Sequence, residues 1–493
     1  MTIKYVDRET TTLWKNPADS DRLLELLWGD RVTVLGTVGI YSQIRARGRT
    51  GFVHTAHLSD TSLLEIYFID VGQGDGILIR TPDHRHLMID GGYKRASLPT
   101  GRNAADFVDW KFAKDYDETS VRLDAMLSSH CDADHYGGLW DLLNPAQRSE
   151  LDCKTVSVEA FYHAGVGWWK DNSANKRWLG NTTPDGKFLL QLMEDRDQIL
   201  RALPKNANPA LQGEWSKFME AVTSTTDAAG NPTPCHRLSH ADHILPGFDG
   251  SAGSVTIHVL APVEFTVAGT AALHNFSSKP DKNTNGNSLL LRLDYGRSRI
   301  LLTGDLNSLS QRALLDDYAG QHDVFSCDVA KACHHGSDDV SLEFLKAMCP
   351  AVTVISSGDS EGHDHPQASV VAASAITGYQ QTSGDKLISP LIYSTELARS
   401  TTLSKASKAT LEGPAGTIEL AKKDLSKLNV EYSVVKAGSL RGKRTSKTLD
   451  HLFLAADLVY GLVNVRTDGV RILCATLNEK DHSWNTRWID ARH

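Results

Sequence analysis

Between residues 128 and 138 the chain reads Ser128-Ser129-His130-Cys131-Asp132-Ala133-Asp134-His135-Tyr136-Gly137-Gly138, with two histidines and two aspartates inside six residues in the order H-x-D-x-D-H. Imidazole nitrogen together with carboxylate oxygen suits borderline divalent ions such as Zn2+ or Mn2+. In an extended or loop backbone His130 and Asp132 point the same way, because side chains alternate. Asp134 and His135, just after a turn, then face a second point a few ångströms off. The arrangement predicts two metals rather than one. The glycine pair is expected to let the backbone pass close to the ions and to start a helix at Leu139. A polar loop whose aspartates cap that helix is the competing reading.

The elements that must position these residues are strands. Leu64-Glu65-Ile66-Tyr67-Phe68-Ile69-Asp70-Val71-Gly72 reads as a buried strand, Gly72-Gln73-Gly74-Asp75-Gly76 as a tight turn, and Ile77-Leu78-Ile79-Arg80 as a second strand. A turn at Pro82-Asp83-His84-Arg85 leads to a third, His86-Leu87-Met88-Ile89-Asp90, closed by Gly91-Gly92. Leu123 to Ser129 is a further strand that delivers His130 at its end. Ligands in open α/β layers sit beyond such strand ends.

The runs FIDVGQGDGILI, HLMIDGG and SSHCDADHYGGL together resemble the metallo-β-lactamase fold, and specifically its ComEC branch, named for the nuclease-like domain of bacterial DNA-uptake proteins. Further segments resemble the family in order: Val255 to Pro262, Asn285-Gly286-Asn287-Ser288 with its following apolar run, Ile300-Leu301-Leu302-Thr303-Gly304-Asp305, Ala332-Cys333-His334-His335-Gly336-Ser337, and His365-Pro366. The resemblance spans roughly residues 63–375 and lapses between about 143 and 252. It implies an α/β four-layer αβ/βα sandwich and a hydrolase using two divalent ions, Mn2+ or Zn2+. By the motif matches, His130 and Asp132 go to the first ion, Asp134, His135 and His365 to the second, and Asp305 bridges them. His335, with His334, either completes a site or contacts the scissile phosphate, and Asp134 is placed with them in the reacting centre. His363 rivals His365, which is preferred because Pro366 follows it. Asp90 is expected behind a ligand, holding its orientation. Asp132 stands where the broader fold has a histidine, and another histidine ligand is replaced around Asn287, both as in the ComEC branch. More oxygen in the donor set shifts preference toward Mn2+.

At 493 residues, with 41% apolar and 23% charged residues, the chain has the composition of a globular protein of two or three domains. No apolar run reaches the roughly 18 residues of a membrane helix, and the N-terminus lacks a signal-peptide pattern. Seven cysteines without C-x-x-C spacing argue against a disulfide framework, so a reducing, cytoplasmic setting and no membrane partner are expected. The net charge of −8 does not attract polyanions as a whole, so nucleic acid must be met by a local basic patch or by the metals.

Residues 1–60 carry short β-patterned segments and resemble a bacterial SH3-like domain. That resemblance implies either a protein partner or docking on the chain's own catalytic domain, residues 61–493. Residues 150–250 read as a mainly helical insertion containing Trp168, Trp169, Trp178 and Trp215, rings that serve as core or stack on bases. The C-terminal segment 396–493 begins with a basic stretch (Lys422, Lys423, Lys427, Lys436, Arg441, Lys443, Arg444, Lys447), a solvated face or a phosphate-binding strip. It ends with a hairpin turning at Asp468-Gly469. The function expected from all this is a metal-dependent phosphodiesterase, a nuclease acting on DNA. The alternatives are a metallo-hydrolase of a small ester, lactone or cyclic nucleotide, and a non-enzymatic role for the SH3-like module.

Overall fold

The structure, a computed structural model, describes residues 2–98, 101–146, 151–171, 176–358, 365–395, 462–478 and 481–493, and between 395 and 462 the stretches 402–405, 408–413, 416–421, 425, 428–434, 443–449 and 453–456. It divides into two units. The larger holds residues 1–398, 460–477 and 481–493, and the smaller holds 399–459 and 478–480.

In the larger unit, after residue 60, six strands of the layered part come first: β1 (Leu64–Phe68), β2 (Gly76–Arg80), β3 (His86–Gly91), β4 (Ala125–Ser128), β5 (Phe161–His163) and β6 (Cys235–Arg237). Seven follow: β7 (Ile244–Asp249), β8 (Thr256–Ala261), β9 (Leu290–Tyr295), β10 (Ser298–Leu302), β11 (Val329–Lys331), β12 (Val352–Ile355) and β13 (Leu391–Ser394). The last three are β14 (Val463–Thr467), β15 (Arg471–Asn478) and β16 (Ser483–Asp490). One nine-stranded sheet runs β6-β5-β4-β3-β2-β1-β14-β15-β16, and one seven-stranded sheet runs β7 to β13 in chain order. Eight helices accompany them: α1 (Ala104–Trp110), α2 (Ala133–Leu143), α3 (Arg196–Ala202), α4 (Gly213–Thr223), α5 (Pro280–Gly286), α6 (Ser308–Asp317), α7 (Leu342–Met348) and α8 (Ala368–Thr377).

Strand alternation sorts the apolar side chains. Leu64, Ile66 and Phe68 of β1, with Ile77 and Ile79 of β2, share one buried cluster with Leu291 and Leu293 of β9, Ile300 and Leu302 of β10, and Val352 and Val354 of β12. The intervening Tyr67, Leu78 and Met88 turn the other way, onto Ala105 and Val108 of α1 and Leu139 and Leu142 of α2. Leu290, Leu301 and Ala330 do the same on the second sheet, against Leu314 of α6 and Phe344 and Leu345 of α7. Each sheet therefore buries both faces, which is why these strands read as unbroken apolar runs. The architecture is mixed α/β.

Residues 2–59 form a seven-stranded antiparallel sheet. It is tied to the nine-stranded sheet by buried ions: Asp30 accepts from Arg47 at 2.6 Å and meets Arg466 of β14 at 2.8 Å, while Arg80 bonds both Glu65 (2.7 Å) and Tyr5 (3.0 Å). Leu27, Trp28 and Leu63 pack with Leu473 and Ala475 of β15.

The segment 150–250 is not mainly helical. It holds two helices, α3 and α4, of 7 and 11 residues, and it donates β5 and β6 to the nine-stranded sheet. The apolar spacing around residue 190 belongs to a short strand, Phe188–Leu189, and a buried loop; helix α3 starts only where the Asp195 side chain accepts from Gln198 N.

In the smaller unit, antiparallel pairs join Thr402–Lys405 to Phe453–Ala456, Lys408–Gly413 to Gly416–Ala421, and Leu428–Val434 to Lys443–Leu449. Of the basic stretch, Lys422, Lys423, Lys427, Lys436 and Arg441 lie outside the described residues, while Lys443, Arg444 and Lys447 sit on the strand Lys443–Leu449. All seven cysteines are free. Among the described residues no helix is long and apolar enough to cross a membrane.

Candidate metal centre

β4 ends at Ser128, and the two residues beyond it carry Ser129 and His130 into a cleft between the sheets' strand ends. Asp132 then occupies the N-cap position of α2 in extended backbone, yet its carboxylate caps nothing. Instead it accepts from Thr284 Oγ1 at 2.8 Å and lies 3.7 Å from His130 Nε2. That geometry excludes a capping role for Asp132 and leaves its carboxylate facing the cleft. Asp134 and His135 follow in the first turn of α2. Helix α2 thus starts at Ala133, not Leu139, and Gly137 and Gly138 lie within it. The two glycines serve close packing rather than ion access: a Cβ on Gly138 would collide with the carbonyl of Gly91, and one on Gly137 with the backbone of Tyr93 and Lys94.

Asp305, three residues beyond β10, reaches the centre from the opposite sheet. Its Oδ2 is 2.9 Å from His335 Nε2 and 3.2 Å from His135 Nε2. Asp134, His135, Asp305 and His335 each offer a ligand atom within 4.8 Å of the others. His130 lies close by, its ring centre 4.0 Å from that of His135 and tilted by 51°. His334 lies 3.9 Å from Asp305 Oδ2. His365 is outside the four-residue group, with its ring 5.9 Å from that of His334, and His363 lies outside the described residues.

A further layer orients the ligands. Asp90, held at φ 54°, accepts from Ser129 N (2.7 Å) and Ser129 Oγ (2.5 Å) and bonds His135 Nδ1 at 2.8 Å, so that Nε2 points inward. Ser288 Oγ is 3.3 Å from His130 Nδ1 and accepts from Asp305 N. Asn285, with its amide turned so that Nδ2 donates to Asp132 Oδ2 (3.0 Å), accepts from His334 Nε2 at 3.2 Å. Asn287, by contrast, spends its amide on the carbonyls of His274 and Asn283 and does not enter the centre.

Two charged residues here were not singled out in the sequence. Lys331, at the end of β11 and fully buried, bonds Asp75 at 2.6 Å and the Gly304 carbonyl at 2.8 Å, and lies 3.5 Å from Asp305 Oδ1. Asp75, in the Gly72–Gly76 turn, also sits 3.4 Å from His335 Nδ1. A lysine inside the apolar run Val329 to Cys333, and an aspartate between two glycines before an apolar strand, were the available signals.

The electrostatics of the cleft favour a cation. Burial alone would depress His135 and His335, but Asp305 with Asp90 in one case, and Asp305 with Asp75 in the other, overcome it; His135 rises well above the usual imidazole value and His335 to about 9. Burial, then the neighbouring Asp134, pushes Asp132 up to about 7. The Nε2 atoms of His130, His135 and His335 are buried without a hydrogen-bond partner of acceptable geometry. Three such nitrogens converging with the carboxylates of Asp132, Asp134 and Asp305 fit divalent metal in type and spacing. Asp132 and Asp134 are the part-open members of this set, their side chains 25% and 18% exposed, while those of His135, Asp305 and His335 are at most 3% exposed.

No family model matches the chain. Curated relatives include "Competence protein ComA" of Neisseria gonorrhoeae, 35% identical over 95 residues, which is 19% of this chain and 13% of that protein. Another is "ComE operon protein 3" of Bacillus subtilis (strain 168), 30% identical over 88 residues, 18% of this chain and 11% of that protein. The match thus spans little more than a tenth of either relative's length. Among solved structures, a metal-dependent hydrolase of the β-lactamase superfamily aligns at 10% identity over 68% of this chain and 96% of its own, with a TM-score of 0.30. A diphosphatase of the PhnP family aligns at 12% identity over 62% and 89%, with a TM-score of 0.27. Scores this low carry no argument about the fold.

Proposed function

We propose that this chain is a metal-dependent phosphodiesterase of the metallo-β-lactamase fold, of the ComEC-like branch, and that it acts as a nuclease on DNA. The observation that carries the reading is that three buried imidazole nitrogens, none with a well-formed hydrogen bond, converge on the carboxylates of Asp132, Asp134 and Asp305 at facing strand ends. The ordered motifs from residue 64 to residue 366, and the pairing of two sheets through one core with helices outside, support a four-layer arrangement. In this reading His130 and Asp132 hold one ion, Asp134, His135 and His335 the other, and Asp305 stands between. Two divalent ions so placed supply an activated water and neutralise charge in an in-line displacement at phosphorus. Asp134, one of the two part-open carboxylates, accepts the proton of the attacking water. His334, held by Asn285, and His365 beside it face the phosphate oxygens at the rim. Asp90 fixes the ring orientation of His135, and the Ser356 carbonyl, 3.0 Å from His335 Nδ1, fixes that of His335. The N-terminal sheet, SH3-like in its turn pattern, is a fixed part of the catalytic unit in this reading, because Asp30 is buried against Arg466.

A second reading, hydrolysis of a small ester, lactone or cyclic nucleotide, is favoured by the net charge of −8. The test is hydrolysis of single- and double-stranded DNA beside bis-p-nitrophenyl phosphate, with Mn2+, Zn2+, Mg2+ or chelator. The double variant Asp134→Ala/His135→Ala is expected to keep its fold, lose bound metal and lose all turnover. Turnover by a metal-free double variant defeats the mechanism, and cleavage of the small diester alone moves the assignment to the second reading.

A further inference from the structure

Where the motif resemblance lapses, a two-stranded antiparallel ribbon pairs Trp169–Lys170 with Arg177–Trp178, in the register Trp169↔Trp178 and Lys170↔Arg177. Residues directly opposite each other share a face of a ribbon, so Lys170 and Arg177 stand side by side. Like charges so placed destabilise a strand pair. Among the described residues no carboxylate forms an ion pair with either cation. Asp171, the nearest in sequence, falls on the other face by strand alternation. Arg177 is exposed and Lys170 half-buried.

By the same alternation Trp168 lies on the face of Lys170, and it anchors that face to the metal centre. Its indole Nε1 donates to the carbonyl of Cys131 at 3.0 Å, and Cys131 is the residue between His130 and Asp132. The Arg177 guanidinium lies 4.3 Å from the centre of the Trp168 ring. A cation set over an aromatic ring is steadied by it, and a guanidinium there still offers N–H groups to an anion. The cations therefore stand one tryptophan ring away from the ligand loop, in a chain whose overall charge repels anions. Trp169 and Trp215 are 1% exposed and belong to the core, so the ribbon has a rigid base.

We infer that Lys170 and Arg177 form a clamp for a backbone phosphate of a DNA strand, one that flanks the bond cut at the metal centre. This rests on the phosphodiesterase reading above and deepens it. A planar fork beside a point charge is the pairing suited to a phosphodiester oxygen pair. A neutral ester or lactone has no group to place there. Bound phosphate also relieves the repulsion between the two cations.

The test is fluorescence anisotropy of fluorescein-labelled single- and double-stranded oligonucleotides with the full chain in chelator, titrated over a range of salt. Lys170→Gln and Arg177→Gln are each expected to weaken binding about tenfold. Each should also reduce the steepness of the log–log salt dependence by about 0.7 on single strands or about 0.9 on duplex. Which DNA form shows the loss identifies the strand that the clamp receives. Arg177→Lys, which keeps the charge, retains the wild-type salt dependence. Lys170→Gln leaves the thermal midpoint of the free protein unchanged or higher, since it removes one of two facing cations. Wild-type affinity and salt dependence in both glutamine variants overturn the clamp, as does failure of the wild-type chain to bind either DNA form. A lowered midpoint in Lys170→Gln alongside lost binding assigns the residue a structural role and also overturns it. Hydrolysis of bis-p-nitrophenyl phosphate by the wild-type chain with Mn2+ is read separately. That substrate has no flanking phosphate, so its result bears on the phosphodiesterase reading alone.

Discussion

Lys331 carries an ammonium with no access to water, and its Nζ has three oxygens around it, from Asp75, Gly304 and Asp305. Burial works against its charge, but Asp75 and Asp305 outweigh burial and hold it protonated. Removing one partner of a buried pair strands the other charge, which costs about 3–5 kcal/mol. Lys331→Met is therefore expected to lower the unfolding free energy of the metal-free protein, read from urea unfolding, by that much, whereas Asp75→Asn combined with Lys331→Met recovers part of the loss. A Lys331→Met variant as stable as wild type would contradict the buried pairing. The same pair explains what the sequence hid. His130, Asp134, His135 and Asp305 are legible because their types and spacing announce ligands. Asp75 and Lys331 are single charges in apolar runs, and only the fold brings a turn of the first sheet against a strand end of the second. Asn285 rather than Asn287 enters the centre for a similar reason: α5 ends between them, and its geometry decides which amide turns inward.

At the level of elements, α2 is held against β3 by the absence of side chains. Gly138 faces the Gly91 carbonyl, and Gly91 in turn would drive a Cβ to 2.6 Å from Leu139 N. Gly138→Ala is expected to push the helix off the strand, costing about 1–3 kcal/mol. Because His135 rides on that helix, the variant also binds less metal per chain than wild type, read by elemental analysis at equal protein concentration. Full metal content with an unchanged midpoint would show that the packing tolerates a methyl group. The sequence pattern H-x-D-x-D-H-x-G-G suggests a helix beginning after the glycines, with the pair bringing the backbone close to the ions; here the glycines lie inside the helix, where they allow its close packing on Gly91. Long apolar strands such as β1 and β2 were legible from their composition. The three-residue strands β5 and β6 were not, since so short a run carries no periodicity to read. The hairpin joining β14 to β15 was legible from Asp468-Gly469, where Asp468 Oδ1 accepts from Val470 N and Arg471 N.

At the scale of the whole molecule, the N-terminal sheet and the nine-stranded sheet share a buried ionic junction. Burial opposes ionisation of Asp30, but Arg47 and Arg466, then Lys111, hold its carboxyl down at about 2. A group whose folded pKa is depressed stabilises the fold above its unfolded value and loses that contribution as pH falls. The window runs from about pH 4, the unfolded value, down to about 2, and the contribution at neutral pH is about 2 kcal/mol. Urea unfolding midpoints are expected to fall through that window in the wild type and to vary less in Asp30→Asn, which is less stable at neutral pH. An identical acid profile in the two proteins would remove Asp30 from the junction's energetics. The junction also joins parts of the chain made far apart in time. β14 supplies Arg466 to Asp30 and also pairs along the free edge of β1, with Val463 opposite Phe68 and Thr467 opposite Leu64. About 400 residues separate these partners, so during synthesis at about 5–20 residues per second β1 waits roughly 20–80 s for its neighbour. Through that interval the nascent chain presents an unpaired apolar strand edge, and aggregation competes with folding until translation reaches β14.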